Sequence, residues 1–305
     1  MLREKSEEQL MADKPKIPDS LTAALPPNTW GKILAATPVV MAVVATMLAG
    51  LASSEMTKAQ YDRSTAAQLQ SKAGDQWNYA ADKKNRGALA HNSLDVLAAT
   101  APIRVLTADS LPGADEATVT ALTKGQAPAV AAVKYDDNVK AALDALAANQ
   151  PEKEIAAILA KVKDSQLADA LTAANEAGNN FDAATKSINS ASDKLDQQLM
   201  HRGPENFRDF SAARLAYTAA RYDAEAKLNQ AVASVYELQI RKQNISAEKH
   251  HARSAEFFYG MLAAQMGVII STFALAARQR NLLWALAAAA GSAAVAFSVY
   301  VYLCV

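Results

Sequence analysis

The C-terminal stretch of the chain constrains its fold more than any other. Two apolar runs, residues 257–277 and 282–304, are separated by the polar segment RQRN, and the only charged residues after Glu256 are Arg278 and Arg280. Each run has about the 20 residues that a helix needs to cross the hydrocarbon core of a bilayer. Because backbone amides in lipid must be bonded within their own helix, we predict a transmembrane hairpin over residues 257–305.

A third apolar run lies nearer the N-terminus. Residues 30–53 are free of acidic side chains and open with Trp30, an aromatic residue suited to a membrane interface, so we predict a first transmembrane helix there. Pro38 is expected to kink it. Residues 1–29 mix charges with prolines and lack the apolar region of a cleavable signal, which predicts a flexible tail.

Two long helices are predicted to leave the membrane. Residues 54–100 contain no proline, so the first span is expected to continue into an ascending stalk helix. Residues 204–256 open with Pro204 and run unbroken into the second span, which predicts a descending stalk helix. One apolar face of the ascending stalk has these members: Leu69, Ala73, Trp77, Ala81 and Ala88.

Heptad spacing predicts coiled-coil-like packing in the polar region. Residues 101–203 are bounded by Pro102 and by Gly203-Pro204, and we predict a helical cap there. Apolar residues at heptad spacing form a seam along which a second helix can pack. The stalk seam, in the descending stalk, consists of Leu228, Val235, Leu238 and Ile245. The cap seam consists of Leu167, Phe181, Ile188 and Leu195. Seams that need a packed partner favour a homo-oligomer.

The composition offers no sign of nucleic-acid binding or catalysis. Lys+Arg and Asp+Glu both number 31, so there is no net charge to attract a nucleic acid. Motifs for nucleophilic catalysis, phosphate binding or zinc proteases are absent, and Cys304 is the single cysteine. Glu248 and His251 have a di-iron spacing, but a second such pair is missing. We therefore expect no enzyme activity, no metal and no cofactor.

The short loops indicate an orientation. Arg278 and Arg280 in the hairpin turn favour a cytoplasmic turn, which places the N-terminus inside and residues 55–256 in the periplasm of a bacterial inner membrane. Basic residues that flank the polar region, among them Lys58 and Arg63, argue for the opposite orientation.

Two motifs resemble a known family. The segment GDQWNY, with Gly74, Asp75, Gln76, Trp77 and Tyr79, and the turn RQRNLLW, with Arg278, Arg280, Leu283 and Trp284, are similar to those of a bacterial membrane family called domain of unknown function 4337. The resemblance covers roughly residues 33–95 and 205–305. It implies a membrane helix, a coiled region and a terminal hairpin, but no activity, and the cap is an added insertion.

For the GDQWNY motif, a role in helix packing is favoured over a role in ligand binding. Gly74 would allow a close backbone approach, Trp77 would wedge between the stalks, and Asp75 and Gln76 would bond a neighbouring helix.

Together these patterns predict an all-α membrane protein with three transmembrane helices, coiled-coil-like stalks and a helical cap. The function they favour is a non-enzymatic, homo-oligomeric scaffold or interaction protein, alone or as part of a larger membrane complex. The alternative is a homo-oligomeric channel in which the first spans surround a path and the caps form a vestibule.

Overall fold

The chain folds into helices and connecting loops. A computed structural model describes residues 29–277 and 280–304, and these residues contain no strand and are 86% helical. The described residues form these helices: α1 (Thr29–Thr100), α2 (Glu116–Lys124), α3 (Asp137–Ala147), α4 (Glu152–Leu159), α5 (Asp164–Leu199), α6 (Pro204–Ala276) and α7 (Arg280–Cys304). The predicted flexible tail up to residue 28, Arg278 of the predicted topology turn and Val305 lie outside the described residues.

The two longest helices run from apolar into polar sequence, as predicted. α1 has 72 residues and continues through Pro38, and α6 has 73 residues and begins at Pro204. Proline suits the first position of a helix because its missing N–H would have no partner there. Three helices, α1, α6 and α7, are long and apolar enough to cross a membrane, which confirms the three predicted candidate spans.

The chain separates into two compact units whose boundary falls inside both long helices. The span unit comprises the residues up to Asp62 and those from Ser246 onward. The bundle unit comprises residues Arg63–Ile245. The bundle unit therefore contains parts of both predicted stalks together with the whole predicted cap, residues 101–203.

Small residues bring the apolar helices of the span unit together. A Cβ added at Gly267 of α6 or at Gly291 of α7 would collide with the side chain of Met41 from α1. Gly and Ala allow this close approach of membrane helices. Trp284 of α7 donates its Nε1–H to Thr37 Oγ1 over 3.0 Å. The buried core of the unit is Ala45, Leu48, Ala52, Phe257, Ala264, Ala294 and Val301.

In the bundle unit, α1 packs on α6 through small residues spaced seven apart. These small residues are buried: Ala66, Ala73, Ala80 and Gly87 in α1, and Ala219, Ala226 and Ala233 in α6. Ile240 continues the α6 series and packs with Ala66 and Ala73. A Cβ added at Gly87 would lie 3.5 Å from the Ala219 carbonyl oxygen. Two alanines of the predicted face, Ala81 and Ala88, are instead exposed, because each lies one position beyond a buried residue.

Another face of α6 packs against α5, and the predicted stalk and cap seams meet there. Leu167 packs with Val235 and Leu238, Ile245 borders that cluster, Phe181 packs with Leu228, and Ile188 and Leu195 pack with Phe210 and Tyr217. The two seams are thus partners within one chain. They are not free to hold a second copy, so the observation behind the homo-oligomer prediction no longer supports it.

The segment between α1 and α3 covers one end of this bundle. The Asp115 carboxylate accepts the Thr118 N–H at 2.8 Å and starts α2, and Gly125 ends α2 at φ 59°. Leu122 of α2 is buried in the same cluster as Phe210 and Tyr217 of α6. This packing encloses an apolar core that α5 and α6 alone would leave open.

Candidate functional site

Trp77 of the GDQWNY motif links the two long helices of the bundle unit. Its Nε1–H donates to Glu237 Oε1 over 2.8 Å. The indole has no other hydrogen-bonding group, so this bond fixes the orientation of the ring. The Trp77 side chain remains 38% exposed. A large aromatic ring is thus held in place and only partly covered.

The other motif residues do not pack as predicted. A Cβ added at Gly74 would meet no atom within 4 Å, so no helix approaches closely there. Asp75 and Tyr79 are exposed, Gln76 is half-buried, and no hydrogen bond joins them to another helix in the described part of the chain. Among the described residues, the hydrogen bond from Trp77 to Glu237 is the one that connects this motif to α6.

A cleft of about 570 Å³ opens beside Trp77. Its walls come from α1, from α6, and from α3 with the segments flanking it. The cleft mixes aromatic, apolar and charged groups, the chief ones being Trp77, Tyr135, Leu143, Asp144, Glu237 and Arg241. It has the size and mixed character of a binding cleft rather than of a packing defect.

The turn after α3 shapes one edge of this cleft. Asn149 has φ 50°, a left-handed conformation that asparagine tolerates better than most residues. Its N–H donates to the Leu146 carbonyl and the Gln150 N–H donates to the Ala145 carbonyl, both over 3.0 Å. These two bonds form a Schellman motif that ends α3 at the cleft.

The cleft has more carboxylate hydrogen-bond acceptors than it has unpaired cations to bind them. Arg241 is ion-paired with Glu152 of α4. Glu237 Oε1 accepts the Trp77 indole, but no bond holds the second oxygen of this carboxylate within the described residues, and Asp144 also lines the cleft. Burial raises the pKa of the Tyr135 hydroxyl, which therefore stays protonated and able to donate. The cleft suits a ligand that donates hydrogen bonds or carries positive charge.

A second polar recess, of about 370 Å³, is structural in character. Asp209 of α6 is buried and accepts both the backbone N–H and the Nε–H of Arg104, at 3.1 and 2.9 Å. Burial raises the pKa of the Asp209 carboxyl, but the bonds from Arg104 outweigh it and leave the pKa below its usual value. The main charges of the recess satisfy each other and fasten the segment after α1 to α6.

In the span unit, a histidine pairs with a carboxylate. His250 Nδ1 lies 2.5 Å from Glu55 Oε2, and Lys58 donates to Glu55 Oε1 over 2.6 Å. The hydroxyl of Ser254, one helical turn along α6, donates to the Ala52 carbonyl over 2.8 Å. These bonds fasten α1 to α6 just beyond the predicted end of the first span. Sequence reasoning missed the pair, because nothing in the sequence relates Glu55 to His250.

The two residues with di-iron spacing do not form a metal site in the described chain. Glu248 and His251 are both exposed, and the described residues contain no group of three or more His, Cys, Asp or Glu side chains placed to hold a metal ion. No described side chain joins them as a third ligand.

The exposed surface of the first span is apolar. Among the exposed side chains of residues 33–52, Thr46 is the only polar one, and its hydroxyl bonds the Ala42 carbonyl of its own helix. A channel lined by the first spans stays a prediction, and no polar surface on this span favours it.

The comparisons with known proteins add no relative. No protein-family model matches the chain, and no curated protein or solved structure matches it either. The resemblance to domain of unknown function 4337 therefore stays a prediction.

Proposed function

We propose that the protein is a non-enzymatic scaffold or interaction protein of the bacterial inner membrane, which holds a partner polypeptide in the cleft beside Trp77. The observation that carries this proposal is the partly exposed Trp77 indole, anchored on a Glu237 carboxylate whose second oxygen is unbonded within the described residues. The three apolar helices would anchor the chain, and the bundle unit would present the cleft in the periplasm.

The chemistry of the cleft favours a basic side chain of the partner. A lysine or arginine placed over the Trp77 ring gains roughly 0.5–1 kcal/mol at an exposed site. The carboxylates of Glu237 and Asp144 would accept its hydrogen bonds, since the cation already in the cleft, Arg241, is paired with Glu152. Apolar side chains such as Leu143 would cover the stem of the partner residue.

The cleft lacks the groups that would favour catalysis. Neither histidine nor cysteine is among its lining residues, and the hydroxyl of Ser234 donates to the Gln230 carbonyl of its own helix over 2.9 Å. No lining nucleophile is paired with a base in the way that covalent catalysis requires. This arrangement supports binding over an enzymatic role.

The proposal is tested by photo-cross-linking in cells. A benzophenone amino acid at Ala147, an exposed residue of α3 that lines the cleft, is expected to form a discrete adduct with a second polypeptide. The same probe at Ala141, which is exposed on the same helix but does not line the cleft, serves as the matched control and is expected not to form that adduct.

The Glu237→Gln variant makes the test specific. Glutamine keeps an oxygen that can accept the Trp77 indole, so the local packing is retained while the negative charge is removed. The Ala147 adduct is expected to weaken markedly in this variant. An adduct that forms equally from Ala141, or that is unchanged by Glu237→Gln, would contradict the proposal.

A further inference from the structure

Gln265 is an exposed polar residue near the middle of the uncharged, largely apolar segment 257–277 of α6. Its carboxamide makes no hydrogen bond in the described part of the chain. The polar neighbours Ser271 and Thr272 differ, since both of their hydroxyls donate to the Val268 carbonyl, at 2.9 and 2.8 Å. Of the three polar side chains in the middle of this span, Gln265, Ser271 and Thr272, Gln265 is the one without a hydrogen bond among the described residues.

The contacts in the span unit place Gln265 at the centre of the apolar layer. Met41 packs against the positions of Gly267 and Gly291, so these three residues lie at one level. Each is close to the middle of its own apolar run, residues 30–53, 257–277 and 282–304. Gln265 is two residues from Gly267, which is about 3 Å along a helix. Its amide therefore lies in the hydrocarbon core when α6 spans a bilayer.

An amide at this depth needs a protein partner. Lipid chains offer neither donor nor acceptor, and water is absent from the bilayer core, so an unbonded carboxamide there is costly. The side chain is too far from either end of the span for its head group to reach an interface, because Gln265 sits about ten residues from each. A group on another helix must satisfy it.

Gln265 is also the centre of an exposed stripe. Residues four and three positions apart along α6 share this face, and all of them are exposed: Phe258, Leu262, Gln265, Ile269 and Thr272. This alternating spacing is the pattern through which two helices pack side by side. The stripe is apolar on both sides of the amide, so a helix that packs along it encloses Gln265 completely.

We propose that this stripe binds the same stripe of a second copy of the chain. All copies of a membrane protein share one orientation, so a two-fold axis normal to the membrane sets two α6 helices parallel, with both Gln265 side chains at one depth. A carboxamide both donates and accepts, so the two amides satisfy each other across that axis. The inference rests on the proposed function only in that α6 crosses the membrane.

Disulfide trapping tests the contact in native membranes. In a Cys304→Ser background, Ile269→Cys is expected to give a disulfide-linked dimer on mild oxidation, at twice the 32.3 kDa of one chain. Leu286→Cys on α7 is the matched control, since Leu286 and Ile269 are 51% and 50% exposed. The control is expected to remain monomeric.

Substitution of Gln265 separates the amide from the apolar stripe. Gln265→Leu keeps a side chain that is stable in lipid and is expected to weaken dimerisation in bilayers roughly three- to thirty-fold, the range for interhelical hydrogen bonds in membranes. Gln265→Asn, which keeps an amide, is expected to retain most of the association.

Three results would overturn the inference. They are a monomeric Ile269→Cys variant, a Gln265→Leu variant that dimerises as strongly as the parent, and trapping of a foreign polypeptide in place of a second copy. The proposed function fails differently: its Ala147 adduct would be absent while the Ile269 disulfide still forms.

Discussion

At Gly125 two constraints act on a single residue. Its φ of 59° lies in the left-handed region, where its N–H bonds the Ala121 carbonyl and ends α2. A Cβ added there would lie 2.8 Å from the Cβ of Ala216 in α6. Gly178, in the middle of α5, has neither constraint, because an added Cβ would meet nothing within 4 Å. The two glycines therefore respond to substitution in opposite ways.

Alanine substitutions at these glycines are expected to change stability with opposite signs. Gly125→Ala should lower the free energy of unfolding by about 1–3 kcal/mol, the cost of a left-handed non-glycine residue. Gly178→Ala should raise it by roughly 0.5–1 kcal/mol, because alanine loses less backbone entropy in a helix. Denaturant unfolding of the detergent-solubilised chain, followed by circular dichroism, measures both. A Gly125→Ala variant as stable as Gly178→Ala would refute the described turn.

At the scale of elements, α6 organises the bundle unit because it carries two packing faces. Alanines spaced seven apart face α1, and larger side chains such as Leu228 and Val235 face α5. The face with the larger side chains could be predicted, because leucine, valine and phenylalanine at heptad spacing in a polar region indicate packing against another helix. The face of α1 that meets these alanines was predicted correctly at Ala73 but one position too far along at Ala81 and Ala88, because alanines also occur on the exposed surface of α1.

A double-mutant cycle tests whether the two seams are partners within the chain. Phe181→Ala and Leu228→Ala should each cost about 2–5 kcal/mol of stability, as truncations of buried side chains do. Because these two side chains share one cluster, their effects should depart from additivity by about 0.5–3 kcal/mol.

The matched control cycle pairs Phe181→Ala with Leu199→Ala. Leu199 lies on the same helix but in a different cluster, so these effects should add within about 0.5 kcal/mol. Equal coupling in both cycles would show that Phe181 and Leu228 do not contact each other as described. Both cycles use the same unfolding measurement, so the comparison does not depend on the detergent chosen.

At the scale of the whole molecule, the division into apolar spans and polar helices could be predicted because transfer into lipid depends on composition and run length. The candidate site could not be predicted from the sequence. Trp77 could be identified as a motif residue. Its partner Glu237 and the cleft residue Asp144, however, come from segments that are far apart in the chain. The register with which α1 packs on α6 brings these residues together. Periodicity specifies which face is buried, whereas register depends on contacts that a single sequence does not display.

The most direct test of the account is to label single cysteines with a membrane-impermeant maleimide in spheroplasts of a bacterial host. In a Cys304→Ser background, Leu89→Cys and Ser190→Cys lie at exposed positions of the bundle unit, and Asn281→Cys lies at the start of α7. The account predicts that the first two are labelled in intact spheroplasts and that Asn281→Cys is labelled only after lysis. The reversed pattern, with Asn281→Cys labelled in intact spheroplasts and the other two only after lysis, would contradict it. So would labelling of Leu89→Cys and Ser190→Cys from opposite sides, or of all three from the same side.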